Sequence, residues 1–285
     1  MNTVAGGPDA GTLRAFGVGD QRLERLAGGR GLTWRAGDVV LRPHDGATVT
    51  DWRAGVLAEL AHTSTFRTPR PVRTVDGPWH AGARRDGPWR AGSWEAWEWL
   101  PGRADETRVA DVIRVGNAFH RAIAHLDRPA FLAPSTPRPE DPWGRADRMA
   151  WGAARLPDDP TLDRLAAAFR PVRARSQLVH GDLLGNVLFA DAADAAEGAV
   201  PAVPAVIDWP PSWRPAGFGA AVAAVDAVCW HGVPVAQLGA LGADVAEWDQ
   251  LLVRALAFRI ATLHLLGAWD AAAAARHRPV VDALA

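Results

Sequence analysis

The sequence predicts an α+β chain of two lobes: a small antiparallel-sheet lobe over residues 1–100 and a mainly helical lobe over 101–285. Three observations carry this. The first hundred residues read as short apolar runs broken by Gly and Pro, as hairpins do. The run Ser93-Trp94-Glu95-Ala96-Trp97-Glu98-Trp99-Leu100 alternates aromatic with small or charged residues, as a half-buried strand does, and stops at Pro101-Gly102. Beyond that break, apolar residues recur at helical spacing over several long stretches.

A chain of 285 residues with 48% hydrophobic residues and a formal charge of −1 can bury a sizeable core. It has no basic surplus to point to nucleic acid. No apolar stretch is long enough to span a membrane, and residues 1–20 lack a charged start followed by an apolar block, which places the protein in the cytoplasm. No obligatory protein partner is evident. Cys229 is the single cysteine, so internal disulfides and cysteine zinc sites are excluded. Every cationic side chain other than histidine is Arg. Without Lys, neither a lysine Schiff base nor a Walker A loop is possible, and any phosphate clamp must use an Arg.

In chain order, Asp9 caps a short helix ending at Gly17. A strand from Gln21 leads into Gly28-Gly29-Arg30-Gly31, then Leu32 to Arg35, a Gly37-Asp38 turn, and Val39-Val40-Leu41-Arg42. Gly28, Gly29 and Gly31 form either a plain turn or a loop whose backbone N–H groups approach a phosphate, met by Arg42 from the following strand. Residues 50–62 have helical spacing, with Trp52, Val56, Leu57 and Leu60 on one side. Glu59 on that helix is either a solvated carboxylate or the partner of Arg42. Further strands are predicted over 70–74, 79–83 and 93–100. Backbone near Trp97 and Trp99 would meet a purine edge, if these tryptophans are not simply core.

A long helix begins at Asp105 or Thr107 and runs to about Leu126, its inner stripe through Val109, Val112, Ile113, Gly116, Phe119, Ile123 and Leu126, with His120 a packed histidine among them. After a Pro-rich connection, residues 145–156 and 160–169 read as helices. The run Gln177-Leu178-Val179-His180-Gly181-Asp182-Leu183-Leu184-Gly185-Asn186-Val187-Leu188-Phe189 reads as strand, polar loop, strand. Residues 190–204 look like a surface hairpin tip, and Ala205-Val206-Ile207-Asp208 is another strand ending in a carboxylate. The Pro-rich run 209–215 suits neither a helix nor an inner strand. Helices over 218–231, 245–266 and 268–284 close the chain.

Phosphoryl transfer needs a carboxylate at the acceptor hydroxyl, oxygen ligands for magnesium, and donors around the phosphates. Asp182, Asn186 and Asp208 supply the first two, and the glycine loop with Arg42 the third. His180-Gly181-Asp182-x-x-x-Asn186 with a later strand ending in Asp208 resembles the aminoglycoside phosphotransferase and choline kinase branch of the protein-kinase-like fold. The run from Val206 to Gly217 is also similar to a less characterised actinobacterial group of phosphotransferase-like proteins.

That resemblance implies an ATP- or GTP-dependent kinase acting on a small-molecule hydroxyl, with Mg²⁺. It makes Asp182 catalytic, Asn186 and Asp208 metal ligands, and Arg42 the replacement for the usual strand lysine, a swap that is not conservative. It also makes Asp226 a residue that ties down the catalytic-loop backbone, beside the simpler exposed or capping role. His180 supports the loop by a hydrogen bond. Gly181, and the absence of an Ala-Pro-Glu segment, favour a small-molecule kinase over a protein kinase. Trp213, Arg214 and Trp230 are candidate acceptor-pocket walls. With only Asp244, Glu247 and Asp249 clustered on the closing helices, a strongly cationic acceptor is disfavoured. The alternatives are a nucleotide-binding pseudokinase, suggested by Arg42 and the single acid at Asp208, and a metallohydrolase using His180, Asp182 and Asp208, which leaves the glycine loop unexplained.

Overall fold

The structure is a computed structural model and describes residues 6–27, 31–75, 86–134, 136, 141–190 and 202–285. It divides into two compact units at Gly102, each taken by itself below.

In the first unit, α1 (Ala10–Ala15) starts at Asp9, whose carboxylate accepts the Thr12 N–H at 2.7 Å. Then come β1 (Leu23–Arg25), β2 (Trp34–Ala36), β3 (Val39–Pro43), α2 (Ala47–Glu59), β4 (Arg90–Ala91) and β5 (Trp94–Glu98). The five strands make one antiparallel sheet in the order β1-β2-β3-β5-β4. One face closes over Phe16, Val18, Ala36, Val39, Leu41, Trp94 and Ala96. The β3–β5 register sets Arg42 opposite Glu95 and Val40 opposite Trp97.

Two sequence expectations change here. β5 is not half-buried: Trp94, Glu95, Ala96 and Trp97 are all buried, because the strand lies inside the sheet and Glu95 is neutralised by arginines on its own face. The strand expected over 70–74 is reduced to an isolated bridge between Pro71 and Trp97, as suits a proline that brings no N–H to a ladder. The strand expected over 79–83 lies outside the described residues.

The second unit begins with β6 (Arg103–Ala104), α3 (Val109–Ile123), α4 (Pro142–Ala150), α5 (Pro160–Ala167), β7 (Ser176–His180), β8 (Val187–Phe189), β9 (Ala205–Val206) and β10 (Pro211–Pro215). It ends with α6 (Phe218–His231), α7 (Leu238–Leu241), α8 (Trp248–Leu265) and α9 (Ala271–Leu284), of which α7 was not expected. Helix α6 is buried almost all round because its Ala and Gly residues let neighbouring helices approach from several sides. β8 pairs with both β6 and β9, and β7 pairs with β10. The Pro-rich run therefore does form a strand, tolerated because it belongs to a two-stranded sheet with Pro211 and Pro215 at its ends. Residues 191–201 of the expected hairpin tip lie outside the described residues. Among the described residues no helix is long and apolar enough to cross a membrane.

Candidate active site

The loop between β7 and β8 is held from below before it presents anything to solvent. His180 is fully buried at the end of β7. Its Nδ1 accepts the Asp182 N–H at 3.1 Å, and its Nε2 lies 2.9 Å from the Ile207 carbonyl, a pairing that requires the proton on Nε2. The His180 N–H in turn donates to Nε2 of the buried His120 on α3 at 2.9 Å. Burial and then the neighbouring His180 push His120 down to about 3, so it stands as a neutral acceptor. Two glycines allow this packing. A Cβ at Gly219 on α6 would collide with the His180 carbonyl oxygen, and one at Gly116 on α3 with the Leu183 side chain.

Beyond His180 the loop turns on Gly185 at φ +84°, closed by the Asn186 N–H donating to the Leu183 carbonyl at 2.9 Å. Asn186 Nδ2 donates to the Asp182 carbonyl at 2.8 Å and approaches Asp182 Oδ2 at 3.3 Å, so Oδ1 is the atom left to ligate. The β8–β9 ladder continues as the Ile207 N–H donating to the Asn186 carbonyl at 2.9 Å, which brings the backbone leading to Asp208 beside that of Asn186. Asp208 is exposed and sits at φ +49°, a left-handed conformation costing roughly 1–2 kcal/mol in an L-residue. The residues on either side hold it there. Ile207 is bonded through both backbone groups, and Trp209 is buried against Phe119 with its indole N–H donating to the Val179 carbonyl at 3.1 Å.

Asp182 stands 45% exposed at the loop's surface, and its Oδ1 accepts from Arg259 Nη2 at 2.5 Å. Arg259, from α8, also grips the buried Asp226 of α6, with Nε at 2.9 Å from Oδ1 and 3.1 Å from Oδ2, and Nη2 on Oδ2 as well. Burial opposes the Arg259 charge, but the two carboxylates raise its pKa above the ordinary arginine value. Burial, with Asp182 adding to it, holds Asp226 above the usual carboxylate range in spite of Arg259. The partner shown for Asp226 is thus Arg259, and not a backbone group of the loop. Through that guanidinium Asp226 is linked to Asp182, while His120 and His180 bond the backbone of the loop.

In the first unit, Arg42 Nε donates to Glu95 Oε1 at 2.6 Å, and Arg53 of α2 grips both Glu95 oxygens at 2.7 and 3.0 Å. Arg53 also reaches Asp45 at 3.0 Å. Of the two readings of Glu59, the structure shows the solvated carboxylate: it is exposed at the end of α2, the partner of Arg42 comes from the sheet, and the helix contributes a second cation. Burial works to raise Glu95, yet Arg42 and Arg53 hold it below its ordinary value. Gly31 has φ +65°, and its carbonyl accepts from Arg25 Nε at 2.7 Å; Gly28 and Gly29 lie outside the described residues. Trp97 is buried beside Arg53, and Trp99 carries the Arg35 guanidinium 4.3 Å above its ring.

Of the expected acceptor walls, Arg214 is paired to Asp147 at 2.5 and 2.8 Å, and Trp213 is on β10 beside Arg128. Trp230 does line a depression, together with Trp143, Leu184, Asp226, His231 and Arg259. Sequence reasoning missed Arg259 and Arg53. Each interrupts the apolar stripe of its helix, a position where a cation needs a buried partner, and that was the available signal.

A profile described as the phosphotransferase enzyme family matches residues 23–212. None of the curated proteins matches the chain. Among solved structures, a microcompartment-associated aminopropanol kinase is 17% identical, covering 93% of this chain and 90% of its own at a TM-score of 0.50. The apo form of a thermostable mutant of an aminoglycoside phosphotransferase is 16% identical over 95% and 98% of the two chains, at a TM-score of 0.53. A further mutant of that enzyme, in ternary complex with ADP and hygromycin B, is 14% identical over 92% and 93%, also at 0.53. At these identities the likeness is one of fold, and the fold is protein-kinase-like.

Proposed function

We propose that this chain, which belongs to the phosphotransferase enzyme family, moves the γ-phosphate of ATP or GTP to a hydroxyl of a small molecule such as a sugar, amino sugar, aminoglycoside-like compound or amino alcohol. The observation that carries this is the cross-tied loop. Asp182 is aimed by Arg259 and bonded to Asn186, with Asp208 held on the neighbouring strand end. Asp182 takes the proton of the acceptor hydroxyl as its oxygen attacks the γ-phosphorus in line and the bond to the nucleoside diphosphate breaks.

Asn186 and Asp208 would hold Mg²⁺, and they fit it. Both are oxygen donors, Asp208 exposed and Asn186 half-buried, and Mg²⁺ takes one or two such ligands while phosphates and waters complete its shell. Bound there, Mg²⁺ supplies neutralisation of phosphate charge. On the nucleotide side, Arg42 is the candidate phosphate cation, with Gly28, Gly29, Gly31, Trp97 and Trp99 remaining candidates for nucleotide contact; Glu59, in solvent at the end of α2, is no longer one.

The test is nucleotide consumption across sugars, amino sugars, amino alcohols and aminoglycosides, with Asp208→Ala as the blank. Asp182→Asn should keep nucleotide binding and lose roughly 10²- to 10⁴-fold in turnover; unchanged turnover removes Asp182 from its role. The second reading is a nucleotide-binding protein without transfer. Arg42 in place of the usual strand lysine favours it, and nucleotide binding with no turnover on any alcohol would select it.

A further inference from the structure

The depression that Trp230 helps to line measures about 260 Å³ and lies wholly within the second unit. Its wall includes Arg259, whose guanidinium touches Asp182, so it opens one side chain away from the proposed catalytic carboxylate. Among the described residues, the exposed large hydrophobic side chains are Trp143, Trp230 and Leu266, and all of them line this one depression. Apolar groups gathered around a concave site are what a ligand would cover. Trp230 is already set in place, with Arg276 4.2 Å above its ring and His277 against its edge at 5.3 Å.

The polar groups of the wall restrict the ligand further. Its one carboxylate, Asp226, is already gripped by Arg259 through two nitrogens, so an ammonium group would have to compete with a guanidinium. The Thr262 hydroxyl is spent on the Phe258 carbonyl at 2.8 Å. Arg259 Nε and Nη2 are engaged with Asp226 and Asp182, which leaves Nη1 as the donor towards a ligand, with His231 beside it. Such a wall asks for oxygen acceptors rather than amines. Its volume, below the roughly 300–1,000 Å³ of sites for drug-sized ligands, suits a compact molecule.

We infer that this depression is the acceptor site and that the acceptor is a compact, uncharged alcohol with one apolar or aromatic face, which rests on the tryptophans and Leu266 while its hydroxyl reaches Asp182. The inference rests on the phosphotransferase reading for the reaction, but the binding step can be measured without it. Tryptophan-fluorescence and calorimetric titrations of the full chain would use phenyl β-glucoside and cyclohexane-1,2-diol as neutral probes, against glucosamine, an amino alcohol and a multi-ring aminoglycoside.

At least one neutral probe should bind tenfold or more tightly than every amine. Trp230→Ala and Trp143→Ala should each weaken that binding at least fivefold, and Asp182→Asn should retain it. In turnover, the tryptophan variants should raise KM for the preferred alcohol with kcat within twofold. Tighter binding of the amines, no binding of either neutral probe, or binding unaffected by both tryptophan substitutions in folded protein overturns the inference. Neutral-probe binding without phosphate transfer would leave the site standing and remove only the reaction.

Discussion

Each unit contains a cluster of charged side chains, and the two have hubs of opposite sign. In the first, one carboxylate sits between two guanidiniums, Arg42–Glu95–Arg53; in the second, one guanidinium sits between two carboxylates, Asp182–Arg259–Asp226. Both have a buried hub and one arm nearer to water. The Arg42 side chain is 17% exposed and the Asp182 side chain 45%, while Glu95 and Arg53 are each only 1% exposed. Each hub cancels one charge and leaves the other held in a fixed direction. In the first cluster the half-exposed Asp45 adds a second carboxylate, 3.0 Å from Arg53, and Arg42 is the less enclosed cation; in the second, Asp182 is the less enclosed carboxylate. A buried ion pair adds little net stability, so orientation is the better account of why both persist.

The comparison breaks first at the hubs. Removing one partner of a buried pair typically costs about 3–5 kcal/mol, so Glu95→Ala and Arg259→Ala should both lower the denaturant midpoint substantially. Glu95→Ala should cost more, because it leaves the buried Arg53 with only the half-exposed Asp45 as partner and removes the 2.6 Å partner of Arg42, whereas Arg259→Ala leaves Asp182 open to water. Equal losses, or the reverse order, would show that exposure of the arms is not what separates the clusters.

The second unit's cluster also depends on the packing beneath its loop. Gly219→Ala should destabilise by about 1–3 kcal/mol and reduce turnover by displacing His180, with nucleotide affinity unchanged; a variant with full turnover would show that the loop position is not set by α6.

Acid should separate the units next. The folded pKa of His120, about 3, lies below its unfolded value of 6.5, so in that interval the unfolded chain binds the extra proton. Its contribution is complete above pH 6.5 and is lost as pH falls towards 3, by roughly 1.4 kcal/mol per pH unit for one proton. His277, also lowered by burial, acts in the same direction, and Asp226, raised by burial, opposes it. Glu95, lowered from 4.5, gives stability that is present above that pH and lost below it. The second unit should therefore weaken first on acidification, and His120→Asn should flatten the slope of Tm against pH between 4.5 and 6.5. The smallest effect belongs to Glu59. With its side chain in solvent, Glu59→Ala should change stability by less than about 0.5 kcal/mol and leave the nucleotide KM unchanged, whereas a clear rise in that KM would restore it to the site.

Much of the architecture was legible because it depends on local pattern. The stripe of α3 and the run of α6 are read from periodicity and residue type, and the strand ends at His180 and Asp208 from apolar runs meeting polar residues. The Pro-rich β10 was hidden because its pairing with β7 is a property of the partner strand and not of its own residues.

By itself, the sequence determined which chemistries were open. With no Lys and one Cys, any phosphate cation had to be Arg, and His180-Gly181-Asp182-x-x-x-Asn186 set an imidazole, a carboxylate and a carboxamide on one short loop. Tertiary structure decided which charges meet. Arg42 finds Glu95 because the β3–β5 register sets them opposite each other, and Asp182 finds Arg259 because α8 brings in a residue 77 positions away. A charge pair across that separation leaves no periodic trace in the chain. It exists only where helices and strands have packed closely enough to exclude water, and there an unpaired charge would be too costly to keep.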